Sequence, residues 1–352
     1  MITSDKRIDV GDLSHVFRGA AFRQIGGELA AVDHVSFSLT AEPPQIVSLV
    51  GESGSGKSTI ARIMLGLQRP SGGSVTYCGK DIYHLSREEF RQYRRDVQAV
   101  FQDPYGIFNP FYRVDRIFWT AIKKFNLAAS EAKGLELIKQ SLAAVDLRPE
   151  DVLGRYPHQI SGGQRQRVML ARVHMLRPAF IIADEPVSML DAAVRVLFLN
   201  ILMDFRERYG MTTLFITHDL STAYYLGGEI MVISNGRIVE RGTVDDVMLR
   251  PAHPYTQQLL SSLPVPEPEA RWSERLSLAD ESTGTRGATR ERCLFAERCP
   301  FVMERCWVER PQLVPVRDGQ DARCFLYGPP EGSAALGNGT ERATANADIR
   351  AS

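Results

Sequence analysis

A glycine-rich loop with a single lysine is the first feature of the sequence that could do chemistry. Residues 51–58, Gly-Glu-Ser-Gly-Ser-Gly-Lys-Ser, match the Walker A pattern, follow a short apolar run predicted to be a buried strand and precede an apolar helix. Glycines let backbone N–H groups turn toward phosphates, and the positive end of the helix attracts the same anion. We expect Lys57 to bind the β- and γ-phosphates and Ser58 to bind Mg²⁺. The predicted nucleotide-binding residues of this loop are Gly51, Ser53, Gly54, Gly56, Lys57, Ser58 and Thr59.

Two acidic residues end another apolar run. Residues 180–183 are all apolar and are followed by Asp184 and Glu185. Open α/β sheets place ligand chemistry at the carboxyl ends of their strands. We therefore expect Asp184 to hold Mg²⁺, directly or through water, and Glu185 to polarise the attacking water. Taken alone, the pair could equally be two solvated acids in a turn, but a nearby phosphate loop favours the chemical roles.

A second small-residue run, residues 160–168 (Ile-Ser-Gly-Gly-Gln-Arg-Gln-Arg-Val), opens an amphipathic helix and forms another anion site. It resembles the signature motif of ATP-binding-cassette (ABC) proteins, usually Leu-Ser-Gly-Gly-Gln, with Ile160 in place of the leucine. In that family two cassettes pair head to tail, and each signature contacts the γ-phosphate on the other's phosphate loop. The resemblance gives this role to Ser161, Gly162, Gly163 and Gln164.

The same resemblance assigns the remaining catalytic residues. Gln102 matches the glutamine that contacts Mg²⁺ and water and senses the membrane part of a transporter. Residues 188–191, Ser-Met-Leu-Asp, match the loop that ends in Asp191, with Met189 where alanine is usual. His218, after an apolar run, matches the histidine that contacts the γ-phosphate. An aromatic residue upstream is expected to stack on adenine; Phe17 is the choice by position, and Phe22 is its competitor.

Three further stretches resemble one branch of the family, the ATPases of oligopeptide and dipeptide importers. They are residues 100–110, 155–167 and 253–256, and the resemblance covers about residues 10–327. It implies a subunit that hydrolyses ATP with Mg²⁺ to power peptide uptake. A same-branch importer of oligosaccharides or another small solute is the alternative. A soluble, non-transport ABC ATPase and an exporter ATPase are less favoured, because the chain has one cassette and an importer-type C-terminal extension.

Cysteines cluster near the end of the chain. Cys293, Cys299, Cys306 and Cys324 lie within 32 residues, whereas Cys78 is alone. In a reducing compartment such a group suggests a metal more than disulfides. Some members of the branch hold a [4Fe–4S] cluster in this region, so the resemblance implies one. Zinc, free thiols and disulfides remain alternatives.

Length and pattern indicate the fold and its divisions. The order strand, helix, strand predicts a parallel sheet with crossover helices, and the resemblance implies an α/β P-loop NTPase (ABC ATPase) with a mixed sheet core, a helical subdomain at about 103–175 and a small Cys-rich extension. The 352 residues are divided into an ATPase domain at 1–262, a linker at 263–290, a Cys-rich region at 291–328 and a tail at 329–352 expected to be disordered.

Composition limits the partners. Lys+Arg and Asp+Glu are 42 each, so the absence of a basic surplus argues against a nucleic-acid partner. No apolar run reaches the ~18 residues that span a bilayer, and the polar N-terminus shows no secretory signal. We expect a peripheral protein on the cytoplasmic face of the cell membrane. The implied partners are a second cassette (a paralogue or another copy), two permease subunits and, indirectly, an extracytoplasmic substrate-binding protein.

Overall fold

A computed structural model of the chain describes residues 6–18, 28–103, 106, 108–262 and 291–328. The predicted linker at 263–290, the tail at 329–352 and Phe22 lie outside these residues. Among the described residues, no helix is both long and apolar enough to cross a bilayer. The mixed sheet and the helical layer expected from the sequence are present; the domain boundaries stay predictions.

The first hundred residues begin with antiparallel strands and lead into the phosphate loop. Ser86 opens α2 with a capping box, since its side chain accepts from Glu89 N–H while the Glu89 carboxylate accepts from Ser86 N–H. The elements of this part are β1 (Arg7–Arg18), β2 (Glu28–Thr40), β3 (Ile46–Val50), α1 (Lys57–Met64), β4 (Gly72–Tyr77), β5 (Lys80–Asp81), α2 (Arg87–Asp96) and β6 (Val97–Val100).

Helices dominate the middle of the chain, and strands return after it. The middle contains α3 (Arg116–Phe125), α4 (Glu131–Ala143), α5 (Pro149–Val152), a 3₁₀ turn (Pro157–Gln159) and α6 (Gly162–Leu176). Next come β7 (Phe180–Asp184), α7 (Ala192–Tyr209), β8 (Thr212–Thr217), α8 (Leu220–Leu226), β9 (Glu229–Ser234), β10 (Arg237–Thr243), α9 (Val244–Leu249) and α10 (Pro254–Ser261). The Cys-rich region has α11 (Glu304–Val308), β11 (Val314–Arg317), β12 (Gln320–Ala322) and 3₁₀ turns at Ala296–Arg298 and Phe325–Tyr327.

Two sheets organise these elements. The antiparallel sheet has the order β2-β1-β4-β5, and the larger sheet has the order β11-β12-β10-β9-β3-β8-β7-β6. In the larger sheet β9, β3, β8, β7 and β6 run parallel to one another. The strands β10, β12 and β11 add antiparallel pairs at one edge. The Cys-rich region therefore extends the same sheet that carries the phosphate loop.

In the part of the chain that the structure describes, the core consists of three apolar clusters. One joins the helical subdomain, including Phe118, to the sheet, and the second packs α1 between the two sheets. The third joins the end of β3 to α10 and to Phe295 of the Cys-rich region. Burial of this third cluster packs the C-terminal region directly beside the start of the phosphate loop.

A buried charge cluster also joins the Cys-rich region to the ATPase. The Asp33 carboxylate accepts from Arg237 Nε at 2.7 Å and from Arg310 Nη2 at 2.9 Å. Arg237 also donates to the carbonyl oxygen of Arg292 at 3.1 Å. Asp33 and Arg237 are both buried, so neither charge can be left without its partner at low cost.

We predict that Asp33→Ala lowers the free energy of unfolding by about 3 kcal/mol, because it leaves the Arg237 guanidinium buried without its carboxylate. Urea unfolding of the full-length chain measures the change. The control is Asp321→Ala, which breaks the more exposed pair with Arg241 and should cost under about 1 kcal/mol. Equal losses in the two variants would contradict a special role for the buried cluster.

Candidate functional site

The carboxyl ends of three neighbouring parallel strands form the candidate site. In the pairing register, Val50 of β3 lies opposite Thr217 of β8, and Asp184 of β7 lies opposite Ile216. The phosphate loop follows β3, Glu185 follows β7, and His218 follows β8. The parallel register thus places residues that are far apart in sequence on one edge of the sheet.

Glycine is required where the phosphate loop enters α1. Gly56 is the residue before α1 and has φ 104°, a region that favours glycine. A Cβ at Gly56 would lie 2.1 Å from the carbonyl oxygen of Ala31, so no side chain fits. Gly54 has φ 80°. Ser53 and Gly54 are exposed at the loop tip, and Thr59 is buried in the first turn of α1.

Lys57 is the buried cation of this loop. Its Nζ donates to the carbonyl oxygens of Gly51 and Glu52, both at 2.8 Å, and the residue is only 4% exposed. Burial lowers the pKa of Lys57, while the negative charges of Glu185, Asp184 and Glu52 act in the opposite direction. The loop therefore holds a positive charge away from water, where it interacts strongly with a phosphate.

Ser58 and Asp184 supply neighbouring oxygen atoms. Ser58 Oγ donates to Asp184 Oδ1 at 3.0 Å. Burial raises the pKa of Asp184, and the hydrogen bond from Ser58 lowers it. Hydroxyl and carboxylate oxygens are ligands that Mg²⁺ prefers, usually together with substrate phosphates. These two residues therefore fit a Mg²⁺ ion that arrives with the nucleotide.

Glu185 and His218 form a pair beside that oxygen site. His218 Nδ1 lies 3.2 Å from Glu185 Oε1, with Glu185 the more buried of the two side chains. Glu185 has φ 46°, and its N–H donates to the carbonyl oxygen of Ile216 at 2.9 Å. This conformation costs a non-glycine residue roughly 1–2 kcal/mol, so the neighbouring strand holds Glu185 in a strained orientation.

The predicted signature forms a capped helix start. Ser161 Oγ accepts from Gln164 N–H at 3.1 Å, and Gln164 Oε1 accepts from Ser161 N–H at 2.9 Å. A Cβ at Gly163 would lie 2.8 Å from Val194 Cγ1, so the glycine permits close contact with α7. Gly162 is the first residue of α6. Ser161 is exposed, and its contact with a second cassette stays a prediction.

Three other predicted residues lie around this core of the site. Asp191 caps α7, because its Oδ1 accepts from Val194 N–H at 3.0 Å. The side chain of Gln102 is exposed after the end of β6. Phe17 is half-buried near the end of β1, with its ring edge-on to His15 at 4.8 Å between centroids. The structure thus brings together Lys57, Ser58, Asp184, Glu185 and His218; adenine stacking on Phe17 stays a prediction.

Sequence reasoning missed two residues that connect the site loops. Gln166, only 1% exposed, donates through Nε2 to the carbonyl oxygens of Phe101 (3.1 Å) and Pro186 (2.8 Å). Arg195 contacts Asp219 at 3.2 Å and the carbonyl oxygen of Leu190 at 3.4 Å. Gln166 thus links the ends of β6 and β7, and Arg195 links the loops after β7 and β8. Their only sequence signal is proximity to predicted motifs.

The four clustered cysteines do not form a recognisable metal centre. Within the described residues, no group of three or more His, Cys, Asp or Glu side chains could hold a metal ion, and all five cysteines are free. Burial raises the pKa of Cys293 and Cys299 and raises that of Cys324 to about 11, and neighbouring cysteines push each of these values further up. Because no such ligand group is present among the described residues, the structure gives no support to the predicted [4Fe–4S] site formed by these residues and Cys306.

A groove of about 600 Å³ lies on the helical side of β6. Its apolar floor includes Phe101, Phe108, Ile117 and Met169. Four exposed cationic residues line it: Arg94, Arg113, Arg116 and Lys124. In the described part of the chain no acidic residue lines it. The pKa of Lys124 is lowered by burial and by the positive charges of Arg94 and Arg91. The groove therefore combines apolar surface with accumulated positive charge.

The fold and this site define an ATP-hydrolysing cassette, and comparisons with known proteins agree. The ABC transporter family model matches residues 33–188, and the model of the oligopeptide/dipeptide transporter C-terminal region matches residues 239–306. The solved dimer of the ATP-binding cassette MJ0796 with ADP and phosphate aligns with a TM-score of 0.58 and 25% identity, over 67% of this chain and 98% of that one.

Curated relatives extend the match over most of the chain. A putative peptide import ATP-binding protein of Brucella ovis is 39% identical over 297 residues, 84% of this chain and 92% of that protein. The putative oligopeptide transport ATP-binding protein YkfD of Bacillus subtilis is 40% identical over 84% of this chain and 89% of that protein. The oligopeptide transport ATP-binding protein OppF of Salmonella typhimurium is 35% identical over 81% of this chain and 84% of that protein. The chain belongs to the ABC transporter family, in its oligopeptide/dipeptide branch.

We predict that Glu185→Gln binds MgATP like the wild type but hydrolyses it at least about 100-fold more slowly, because the amide cannot accept a proton from water. Nucleotide titration and phosphate release measure the two properties separately. Glu207→Gln, on the exposed face of α7, is the control and should keep the wild-type rate. Wild-type turnover by the Glu185 variant would rule out its role as the base.

Proposed function

We propose that this chain is the ATP-hydrolysing subunit of a peptide importer, attached peripherally to the membrane through permease subunits. One observation carries the coupling of hydrolysis to transport. The Gln166 side chain donates to the carbonyl oxygens of both Phe101 and Pro186. Phe101 lines the groove beside β6, and Pro186 directly follows Glu185. A partner seated in the groove therefore has a short, hydrogen-bonded connection to the catalytic carboxylate.

Hydrolysis at this site is in-line attack of water on the γ-phosphate, and the protein contributes positioning and charge. Lys57 binds the β- and γ-phosphate oxygens. Ser58 and Asp184, with Gln102 as a further contact, would hold Mg²⁺, which supplies positive charge to the phosphates when bound. Glu185 orients the water and accepts its proton, and His218, 3.2 Å from Glu185, contacts the γ-phosphate. Phe17 stacks on the adenine.

A second cassette completes the site in this proposal. The positive N-terminal end of the helix that begins after Ser161 suits an anion. Four residues there would contact the γ-phosphate bound to the partner's phosphate loop: Ser161, Gly162, Gly163 and Gln164. The exposed Ser161 and the exposed cap residue Asp191 support such an interface. The partner is a second copy or a paralogous cassette.

The groove is proposed to receive a permease helix. A helix-in-groove contact needs an apolar face that fits the floor and side chains that match the rim. The four exposed cations of the rim and the absence of acids among the described lining residues favour a helix with acidic side chains. The extracytoplasmic substrate-binding protein acts on the permeases and has no contact with this chain.

Peptides are the proposed cargo. The match of residues 239–306 to the oligopeptide/dipeptide transporter C-terminal region supports this choice, as do relatives named for peptide import. An oligosaccharide or another small solute is the alternative within the same branch. The cargo does not touch this chain, so the site residues of the chain do not distinguish a peptide cargo from an oligosaccharide or another small solute.

We predict that the double variant Arg113→Glu with Arg116→Glu loses association with the permeases by at least about tenfold, because like charges then meet across the rim. Co-purification of the membrane complex measures the association. The control reverses the charge of two exposed arginines elsewhere, Arg148→Glu and Arg208→Glu, and should keep the wild-type association. Unchanged association of the groove variant would contradict docking at this surface.

Uptake by vesicles that contain the co-purified complex tests the cargo. We predict that short peptides, presented with the cognate binding protein, are taken up with MgATP and increase ATP hydrolysis. The same complex carrying Glu185→Gln should take up none, because transport depends on hydrolysis. Stimulation by oligosaccharides and not by peptides would replace the proposed cargo with the alternative.

A further inference from the structure

One peptide unit at the start of the phosphate loop is held from both sides. The N–H of Glu52 donates to the hydroxyl oxygen of Tyr255 at 3.1 Å. The carbonyl oxygen of Gly51, in the same peptide unit, accepts from Lys57 Nζ at 2.8 Å. A trans peptide is planar, and its N–H and C=O point in opposite directions. Any rotation of this plane therefore disturbs the hydrogen bond to Tyr255 and the hydrogen bond to Lys57 together.

Tyr255 is well placed to fix that plane. It lies on α10, 203 residues from Glu52 in sequence, and is 1% exposed. Its N–H donates to Nδ1 of His253 at 3.0 Å, which secures the start of the helix. The ring packs in the third apolar cluster with Val50, the last residue before the phosphate loop. A hydroxyl on a buried, immobile ring is a more rigid acceptor than water.

The Cys-rich region holds the ring of Tyr255 in place. Phe295 lies between Cys293 and Cys299 in sequence, is 5% exposed, and meets the Tyr255 ring edge-on with centroids 5.6 Å apart. Both cysteines pack against the same apolar cluster. In addition, Arg298 Nη2 lies 3.4 Å from the Glu52 carboxylate. The region thus contacts the phosphate loop through a buried ring and through a surface ion pair.

This region is also fixed to the ATPase at other points. Arg310 binds Asp33 at 2.9 Å, and Tyr327 Oη donates to the carbonyl oxygen of Ala252 at 3.0 Å. The pairing of β12 with β10 adds backbone hydrogen bonds. Because it is attached on several sides, the region can resist movement of Tyr255 rather than move with it.

We propose that the Cys-rich C-terminal region serves to position the phosphate loop, and that Tyr255 is the positioning residue through which it orients the Gly51–Glu52 peptide and the Lys57 ammonium. This role requires no metal on the cysteines. It concerns nucleotide binding and does not depend on the identity of the cargo or of the permeases.

The test replaces Tyr255 by phenylalanine, which removes the hydroxyl and keeps the ring. An interaction made equally in the ground state and the transition state changes KM and leaves kcat nearly unchanged. We expect Tyr255→Phe in the full-length chain to raise the Kd and the KM for MgATP about five- to tenfold, with kcat within about twofold of wild type. Titration with a fluorescent ATP analogue and steady-state phosphate release measure these values.

Two further variants separate positioning from general loosening. Tyr327→Phe removes another hydroxyl that attaches the same region, but its hydrogen-bond partner is the carbonyl oxygen of Ala252 and not a peptide unit of the phosphate loop. Because the other attachments of the region remain, the Kd of this variant for MgATP should equal that of wild type. Phe295→Leu keeps the Tyr255 hydroxyl and loosens the ring, and should raise the Kd by a smaller factor, about two- to threefold. If Tyr255→Phe does not fold, Phe295→Leu is used in its place to test the proposal.

The results decide the proposal directly. A raised Kd for Tyr255→Phe supports positioning when the Kd for Tyr327→Phe stays at the wild-type value. If Tyr255→Phe does not fold, a raised Kd for Phe295→Leu takes its place. A wild-type Kd in folded Tyr255→Phe overturns it. Equal increases in Kd for Tyr255→Phe and Tyr327→Phe also overturn it, since they would show that loosening the C-terminal region anywhere has the same effect.

Discussion

The burial of one ammonium group, that of Lys57, is the constraint on which the rest of the site depends. A buried charge is stable only when paired or well hydrogen-bonded. In this loop two carbonyl oxygens accept from it, and the charges of Glu185 and Asp184 favour its protonated form. Carbonyls turned inward require a tightly curved loop, which explains the glycine at 56, where no side chain fits. A phosphate that enters this loop therefore contacts an ammonium group that is already desolvated and oriented.

The parallel sheet turns that local arrangement into a catalytic site. Because β3, β8 and β7 are neighbours in register, the lysine, the carboxylates and the histidine meet although they come from distant parts of the sequence. Gln166 then links this edge to the groove wall, and Tyr255 links it to the C-terminal region. Nucleotide chemistry, partner docking and the C-terminal extension therefore meet at one end of the sheet.

Local sequence pattern was sufficient for the parts of the fold that local forces determine. The phosphate loop between β3 and α1 and the helix that begins after Ser161 each depend on a few adjacent residues, and the structure has them where the pattern places them. The confirmed ABC ATPase fold follows from these motifs and their order along the chain.

Contacts over long sequence separations could not be predicted in this way. Gln166 acts on carbonyls 65 and 20 residues away, and Tyr255 acts on an N–H 203 residues away. Neither contact leaves a periodic or compositional signal. The cysteines show another limit of sequence pattern: their spacing suggested a metal site, but the described residues form no group that could hold a metal ion.

Binding of MgATP to the full-length chain carrying Lys57→Met tests the central claim most directly, since binding requires neither a permease nor hydrolysis. Methionine is close to lysine in size and carries no charge, and urea unfolding shows whether the variant is folded. The account predicts that its affinity for MgATP, measured by titration with a fluorescent ATP analogue, falls by at least about tenfold. Wild-type affinity in the folded variant would contradict the role of the buried ammonium in holding the phosphates.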